Sequence, residues 1–230
     1  MRTAALIGRT VVAIAIIAAI VVQLDSSIAF AGRDGVPDTL NVVVNFLSYF
    51  TVDSNTLSAV LLLCGAVLLA RGRAESRTFT VIRLAVTTYM VITGVVYNLL
   101  LRGFLVQGAT VLWSNEVLHV IGPLYLFLDW LFAPGRSPLR SRDALPALIF
   151  PAVWLVYTLV RGPFAIDPFR PTDYWYPYPF LNPVTSTGGY ASVAAYSVGI
   201  AIAVVLVAMG LAWVSRRWAG SSAAPTPVGG

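Results

Sequence analysis

Residues 42–70 read VVVNFLSYFTVDSNTLSAVLLLCGAVLLA, a run that contains a single charged residue, Asp53. A helix needs about 20 mainly apolar residues to cross the hydrocarbon core of a bilayer. This run is long enough to do so, and it decides the fold class. The sequence predicts an all-α integral membrane bundle over residues 1–218. Its six transmembrane helices are expected at 5–24, 42–70, 79–101, 109–132, 144–161 and 190–214.

The composition also indicates a membrane protein. The chain is 58% hydrophobic and only 11% charged, whereas a soluble domain carries about 25% charged residues. The net charge of +5 comes from arginines that lie mostly in the short segments between the apolar runs. We therefore do not interpret it as a nucleic-acid-binding surface, and we expect no nucleic-acid partner.

The arginines predict how the chain is oriented. If the N-terminus is cytoplasmic, eleven arginines lie in inner segments and four in outer ones, which is the asymmetry of the positive-inside rule. The sequence thus predicts cytoplasmic N- and C-termini and a multi-pass protein of the cell membrane. The inner set is Arg2, Arg9, Arg71, Arg73, Arg77, Arg83, Arg136, Arg140, Arg142, Arg216 and Arg217, and the outer set is Arg33, Arg102, Arg161 and Arg170.

The two ends of the chain carry separate expectations. Arg2 and Arg9, an apolar run over 11–22 and the Ala-Phe-Ala sequence at 29–31, with small residues around a possible cleavage site, also resemble a signal peptide. Cleavage there would leave five spans with the same orientation downstream. Residues 219–230 are rich in Ser, Ala, Pro and Gly, and we expect them to form a disordered tail.

The single cysteine and the single histidine limit the chemistry. Cys64 has no partner for a disulfide within the chain, and a Cys-based metal site is excluded. One histidine, His119, rules out bis-histidine haem ligation and a zinc site built mainly from His and Cys. The sequence requires no metal and no cofactor.

Polar residues at membrane depth are the candidate site. On the second predicted helix, Thr51 and Asn55 belong to a stripe of polar residues at three- and four-residue spacing. The alternative is that such residues only form hydrogen bonds to the backbone of their own helix and help neighbouring helices to pack. The complete stripe is Ser48, Thr51, Asn55 and Ser58.

The fourth predicted helix carries a second polar face. Asn115, Glu116 and His119 share it, and Pro123 follows His119 by four residues. Because proline has no N–H, the helix should open locally and release the carbonyl of His119. The alternative is a histidine satisfied by Asn or Glu in a packed core.

Thr51 and His119 are expected at the same depth. Each lies about ten residues, or roughly 15 Å, below the outer surface. If the second and fourth helices are neighbours, the hydroxyl and the imidazole can share a hydrogen bond, which is the pairing of a nucleophile with its base.

Two segments carry a family resemblance. Residues 46–55, FLSYFTVDSN, and 115–119, NEVLH, with Pro123, resemble the androgen-induced and androgen-dependent TFPI-regulating membrane proteins and their bacterial six-helix relatives. Residues 176–183, YPYPFLNP, and 97–100, YNLL, resemble the bacterial branch more closely. The resemblance implies a bacterial inner-membrane protein. It also implies an intramembrane threonine hydrolase for fatty acid esters of hydroxy fatty acids, with Thr51 and His119 as the catalytic pair.

The supporting residues are assigned as hypotheses. Asn55 or Asn115 would donate to the oxyanion, and Glu116, or else Asp53, would support the imidazole. Arg102 and Arg161 at outer helix ends would hold the carboxylate of a lipid or fatty-acyl ester substrate, although interface anchoring also explains them. The aromatic loop over 162–189 predicts either a lid or a plain aromatic belt.

Two other functions use the same residues. In a proton-coupled transporter, Asp53, Glu116 and His119 would relay protons. Polar residues would then be needed at several depths, and the inner half of the bundle looks thinly polar in the sequence. In a non-catalytic membrane scaffold or sensor, these side chains would only pack.

Overall fold

A computed structural model describes residues 2–104, 107–170 and 172–221 of the chain, and these form helices and loops without a β-strand. The α-helices are α1 (Arg2–Arg33), α2 (Thr39–Leu47), α3 (Phe50–Ala70), α4 (Arg77–Val96), α5 (Leu112–Glu116), α6 (Gly122–Phe132), α7 (Ile149–Arg161) and α8 (Tyr190–Ser221). Two π-helical turns, Tyr97–Leu101 and Val117–Ile121, extend α4 and join α5 to α6. Three 3-10 helices occupy Ser141–Leu148, Gly162–Phe164 and Pro179–Leu181.

Several of these helices suit a membrane. Among the described residues, five are long and apolar enough to cross one, which is compatible with a multi-pass protein. They are Arg2–Arg33, Phe50–Ala70, Arg77–Leu101, Ser141–Phe164 and Tyr190–Arg217.

The span expected at 109–132 is helical but more polar than those five. α5, the π-helical turn and α6 run without a break over 112–132. The segment carries Asn115, Glu116, His119 and Asp129, which lower its hydropathy. The sixth span therefore stays a prediction.

The last helix continues further than expected. α8 ends at Ser221, so residues 219–221 of the predicted tail are helical. The rest of that tail, 222–230, lies outside the described residues.

The prediction of one unbroken helix over 42–70 is wrong at Ser48 and Tyr49. Tyr49 is extended, with φ −74° and ψ 128°. The Ser48 carbonyl accepts a hydrogen bond from Trp154 Nε1 at 3.1 Å, and its hydroxyl lies 2.9 Å from the Tyr157 hydroxyl. Side chains of α7 thus bond the polar groups of Ser48 where the helix is interrupted. Because a new helix begins after the interruption, Thr51 lies in its first turn.

The helix around His119 opens as Pro123 predicts. The turn that contains His119 is π-helical and ends at Ile121, two residues before the proline. Asn98 Nδ2 donates to the His119 carbonyl at 3.4 Å and to the Gly94 carbonyl at 2.8 Å. The carbonyl released by the proline is therefore satisfied by α4's π-helical extension.

The core lies between α1, α3, α4, α6 and α8. Small and branched side chains at Ala13, Ile16 and Ala19 are fully buried on one face of α1. Trp130 of α6 is also fully buried, and its Nε1 donates to the Leu211 carbonyl of α8 at 3.0 Å. A bundle interior of this kind can hold buried polar groups provided that each finds a partner.

Candidate active site

Thr51 is buried in the first turn of α3 and contacts a side chain from the aromatic loop. Its backbone N–H donates to the Tyr178 hydroxyl oxygen at 3.2 Å, and its Oγ1 lies 3.2 Å from the same oxygen. The N-cap residue, Tyr49, makes no side-chain capping bond. Tyr178 therefore supplies the capping oxygen from a distant part of the chain.

Thr51 and Tyr178 both line a cavity inside the bundle. The cavity has a volume of about 180 Å³, and its walls are mostly apolar. An apolar space of this kind suits part of an acyl chain. The other polar side chains in its wall are Thr93, Tyr89, Tyr97, Trp154 and Ser197, and the apolar ones include Phe50, Ile92, Val96, Leu101, Leu148, Leu155, Phe180, Leu181, Ile200 and Val204.

His119 lies behind one wall of this cavity. Its ring stacks on Tyr97, with ring centroids 3.9 Å apart and planes 23° apart. His119 Nδ1 is 2.9 Å from the carbonyl oxygen of Asn115. Because a carbonyl can only accept, Nδ1 carries the proton of the neutral imidazole, and Nε2 is the basic nitrogen.

Asn55 joins the Thr51 and His119 segments. Its Nδ2 donates to the Thr51 carbonyl at 2.9 Å and to the Leu118 carbonyl at 3.0 Å. The helices that carry Thr51 and His119 therefore adjoin at this depth, as the pairing requires. In place of the hydrogen bond envisaged between Thr51 and His119, the Thr51 hydroxyl is bonded to Tyr178 and His119 to Asn115.

Both amides considered as oxyanion donors are occupied in this structure. Asn55 uses its N–H groups on two backbone carbonyls. Asn115 Nδ2 donates to the Tyr97 hydroxyl, which orients the ring stacked on His119. These asparagines position the site.

The acidic candidates do not bond to the imidazole. Glu116 forms an ion pair with Arg102 at 2.9 Å, and both side chains are more than 40% exposed. Asp53 is half-buried in the first turn of α3, where the helix dipole favours a negative charge. Glu116 therefore faces a surface arginine in this structure.

The two arginines considered for the substrate head group already have partners. Arg102 also donates to Asn98 Oδ1 at 3.0 Å. Arg161 donates to Asn45 Oδ1 and lies 5.4 Å from the centre of the Trp175 ring. A substrate carboxylate would have to compete with these contacts.

The aromatic loop over 162–189 is packed onto the bundle. Tyr178 stacks on Phe180, with centroids 5.3 Å apart and planes 7° apart, and meets Tyr49 edge-on at 5.7 Å. Burial raises the pKa of the Tyr178 hydroxyl to about 12. The loop therefore forms one wall of the cavity, an arrangement that a plain aromatic belt does not require.

A second polar cluster lies near the other end of α3 and was missed by the sequence reasoning, apart from Asp129. Arg9 pairs with Asp129 at 3.0 Å and with Glu75 at 3.3 Å. Arg83 pairs with Glu75 at 2.8 Å and with Asp129 at 2.6 Å. We call these four residues the charge ring. One signal in the sequence could have revealed the charge ring. Arg9 and Asp129 carry opposite charges and both lie within predicted helices.

The charge ring is almost completely shielded from solvent. Its four side chains are 2–3% exposed, and Arg83 lies 5.6 Å from the centre of the Trp130 ring. Each charge has two partners of opposite sign, so the ring is a closed set of ion pairs. We interpret it as a structural element that stabilises the bundle. The half of the bundle away from Thr51 is therefore less thinly polar than the sequence suggested.

No three His, Cys, Asp or Glu side chains cluster as a metal site within the part of the chain that the structure describes. No protein-family model, curated protein or solved structure matches the chain.

Proposed function

We propose that the chain is an intramembrane hydrolase of lipid esters, with Thr51 as the nucleophile and His119 as the base. The observation that carries the proposal is the Thr51 hydroxyl in the wall of a mostly apolar cavity within the bundle. A hydroxyl placed against an apolar space can meet the carbonyl of an ester whose acyl chain fills that space.

The substrate class follows from the walls of the cavity. Phe50, Ile92 and Val204 are typical of the apolar residues that line it. They favour a fatty-acyl group over a sugar or a nucleotide. Together with the resemblance of residues 46–55 and 115–119, this supports fatty acid esters of hydroxy fatty acids or similar lipids as substrates.

The proposed reaction has two stages. Thr51 Oγ1 attacks the ester carbonyl carbon while its proton passes to His119 Nε2, and the tetrahedral intermediate collapses as the leaving alcohol takes that proton. Water then attacks the acyl group on Thr51, again with His119 as the base. The first turn of α3 places the positive end of a helix dipole beside the developing negative charge.

His119 is expected to reach Thr51 by a movement of its side chain or through bridging water, because the two residues have other partners in this structure. Its ring stacks against Tyr97, and Tyr97 itself lines the cavity. Catalytic hydrogen bonds are often long before substrate binds and shorten in the complex. The bridge that Asn55 makes between the carbonyls of Thr51 and Leu118 keeps the two segments together for this step.

Six spans and cytoplasmic termini are part of the proposal, as is location in a bacterial inner membrane. One contact supports the sixth span. Ser137, after α6, contacts Glu75, after α3, with Oγ 3.4 Å from the carbonyl. The two loops thus lie at the same end of the bundle, as expected if 112–132 crosses the membrane.

The experiment is labelling of the purified full-length protein with a fluorophosphonate probe for serine and threonine hydrolases. We expect labelling in the wild type and in Thr51→Ser, and none in Thr51→Ala. His119→Ala should label about 10²–10⁴-fold more slowly, the usual contribution of a general base.

The matched control is Thr56→Ala. Thr56 lies five residues further along α3 and bonds the Val52 carbonyl at 2.8 Å, so its loss should leave labelling unchanged. Labelling that persists in Thr51→Ala would overturn the assignment of the nucleophile. An unlabelled wild type whose proteoliposomes show a proton flux lost in Glu116→Gln would favour transport instead.

A further inference from the structure

The proposed hydrolysis needs a hydrogen-bond donor for the oxyanion of the tetrahedral intermediate. Such donors are usually among the largest single contributions to catalysis. Asn55 and Asn115 both donate elsewhere in this structure. The best-placed donor is therefore one that lies beside Thr51 Oγ1 itself.

We propose that Tyr178 is the oxyanion donor, and hence a catalytic residue of the reaction inferred for Thr51. Its hydroxyl oxygen lies 3.2 Å from Thr51 Oγ1, the atom that would attack the ester. The ester carbonyl oxygen ends up bonded to the same carbon as Oγ1, so a donor beside Oγ1 is also within reach of that oxygen. This inference rests on the proposed function.

The hydrogen bonding at Tyr178 determines where its proton can go. The Tyr178 oxygen already accepts the backbone N–H of Thr51 at 3.2 Å. Once Thr51 has passed its proton to His119, Oγ1 has none left to donate. The Tyr178 O–H then becomes the donor of the pair, directed at the reacting centre.

The surroundings of Tyr178 hold this hydroxyl in place and keep it protonated. Its ring is held by Phe180, Tyr49 and Trp154, with centroids 5.3, 5.7 and 5.9 Å away. Burial raises the pKa of Tyr178 to about 12, so the hydroxyl remains a neutral donor at physiological pH. A fixed donor in an apolar cavity stabilises an oxyanion more strongly than the same donor in water.

In the step itself, the bond from Thr51 Oγ1 to the carbonyl carbon forms as the C=O π pair moves onto oxygen. The Thr51 proton passes to His119 Nε2, and Tyr178 keeps its own proton while it donates to the oxyanion. Collapse restores the C=O bond and expels the alkoxide, which takes the proton from His119. No electron or co-reactant is left unaccounted for.

The test compares Tyr178→Phe with wild type in fluorophosphonate labelling and in hydrolysis of a long-chain p-nitrophenyl ester. Phenylalanine keeps the ring contacts and removes only the hydroxyl. We expect labelling and kcat to fall by about 10²–10³-fold, the usual loss of one oxyanion donor, with KM changed by less than about threefold. Tyr176→Phe is the matched control, because Tyr176 belongs to the same loop but is not among the residues that line this cavity.

A second variant separates catalysis from the capping of α3. Replacing Tyr178 with 3-fluorotyrosine preserves the ring and the capping oxygen but makes the phenol a stronger donor. We expect kcat to rise in this variant if Tyr178 donates to the oxyanion, whereas a residue that only caps α3 would leave kcat unchanged.

The outcomes separate a failure of the Tyr178 assignment from a failure of the proposed hydrolase function. If Thr51→Ala abolishes labelling while Tyr178→Phe labels at the wild-type rate, the oxyanion assignment is wrong and the hydrolase proposal stands. If the wild type is not labelled and hydrolyses no ester, the proposed function itself fails. If Tyr178→Phe unfolds, a fluorotyrosine variant whose kcat does not rise overturns the assignment.

Discussion

Arg9 of α1 and Asp129 of α6 form an ion pair of 3.0 Å in which both side chains are only 2–3% exposed. Arg83 and Glu75 close the charge ring around them. Removing one partner of a buried ion pair leaves an uncompensated charge in a medium of low dielectric constant, which is far more costly than losing the attraction alone.

We therefore expect Asp129→Ala to destabilise the bundle by about 3–5 kcal/mol, seen as a lower unfolding temperature in detergent. The control is Glu116→Ala, whose pair with Arg102 has both side chains more than 40% exposed; a pair of that kind contributes about 0–1 kcal/mol. Equal losses of stability in the two variants would contradict the stabilising role of the charge ring.

Gly65 gives a steric test of the same cluster. A Cβ at this position would lie 2.6 Å from Arg9 Nη1, so Gly65→Ala should displace the arginine and lower the unfolding temperature. Gly199→Ala on α8 is the matched control, because a Cβ there meets nothing within 4 Å. Alanine there should stabilise the helix by about 0.5–1 kcal/mol. A stabilising effect at both positions would show that Arg9 has room to move.

Sequence reasoning reached most of the helical regions, because these depend on the spacing of apolar residues along one helix. It did not reach the break at Ser48, whose carbonyl is bonded by Trp154, 106 residues away. Nor did it identify Tyr178, which caps α3 from 127 residues away. The charge ring likewise joins four separate segments. Each of these features depends on a tertiary contact that periodicity does not encode.

Asn55 should matter for both stability and activity. It is fully buried and bridges the carbonyls of Thr51 and Leu118. Asn55→Leu leaves both carbonyls without this donor, and we expect a loss of about 1–3 kcal/mol in stability. Because the bridge holds the His119 segment beside Thr51, kcat should also fall. Asn41→Leu removes an exposed bond to the Ile166 carbonyl and should change neither. Unchanged kcat in a folded Asn55→Leu variant would argue against the bridge as a catalytic support.

The sixth span can be tested by cysteine labelling from outside intact cells, in a Cys64→Ser background that removes the one native cysteine. Three exposed loop residues, Ala74, Pro138 and Thr187, are each replaced by cysteine. If 112–132 crosses the membrane, an impermeant maleimide should label only Thr187→Cys, while Ala74→Cys and Pro138→Cys react after permeabilisation. If 112–132 does not cross, Pro138 moves to the side opposite Ala74 and Thr187 moves to the same side as Ala74. The contact between Ser137 and Glu75 favours the first pattern, because two loops that touch cannot lie on opposite faces of a bilayer.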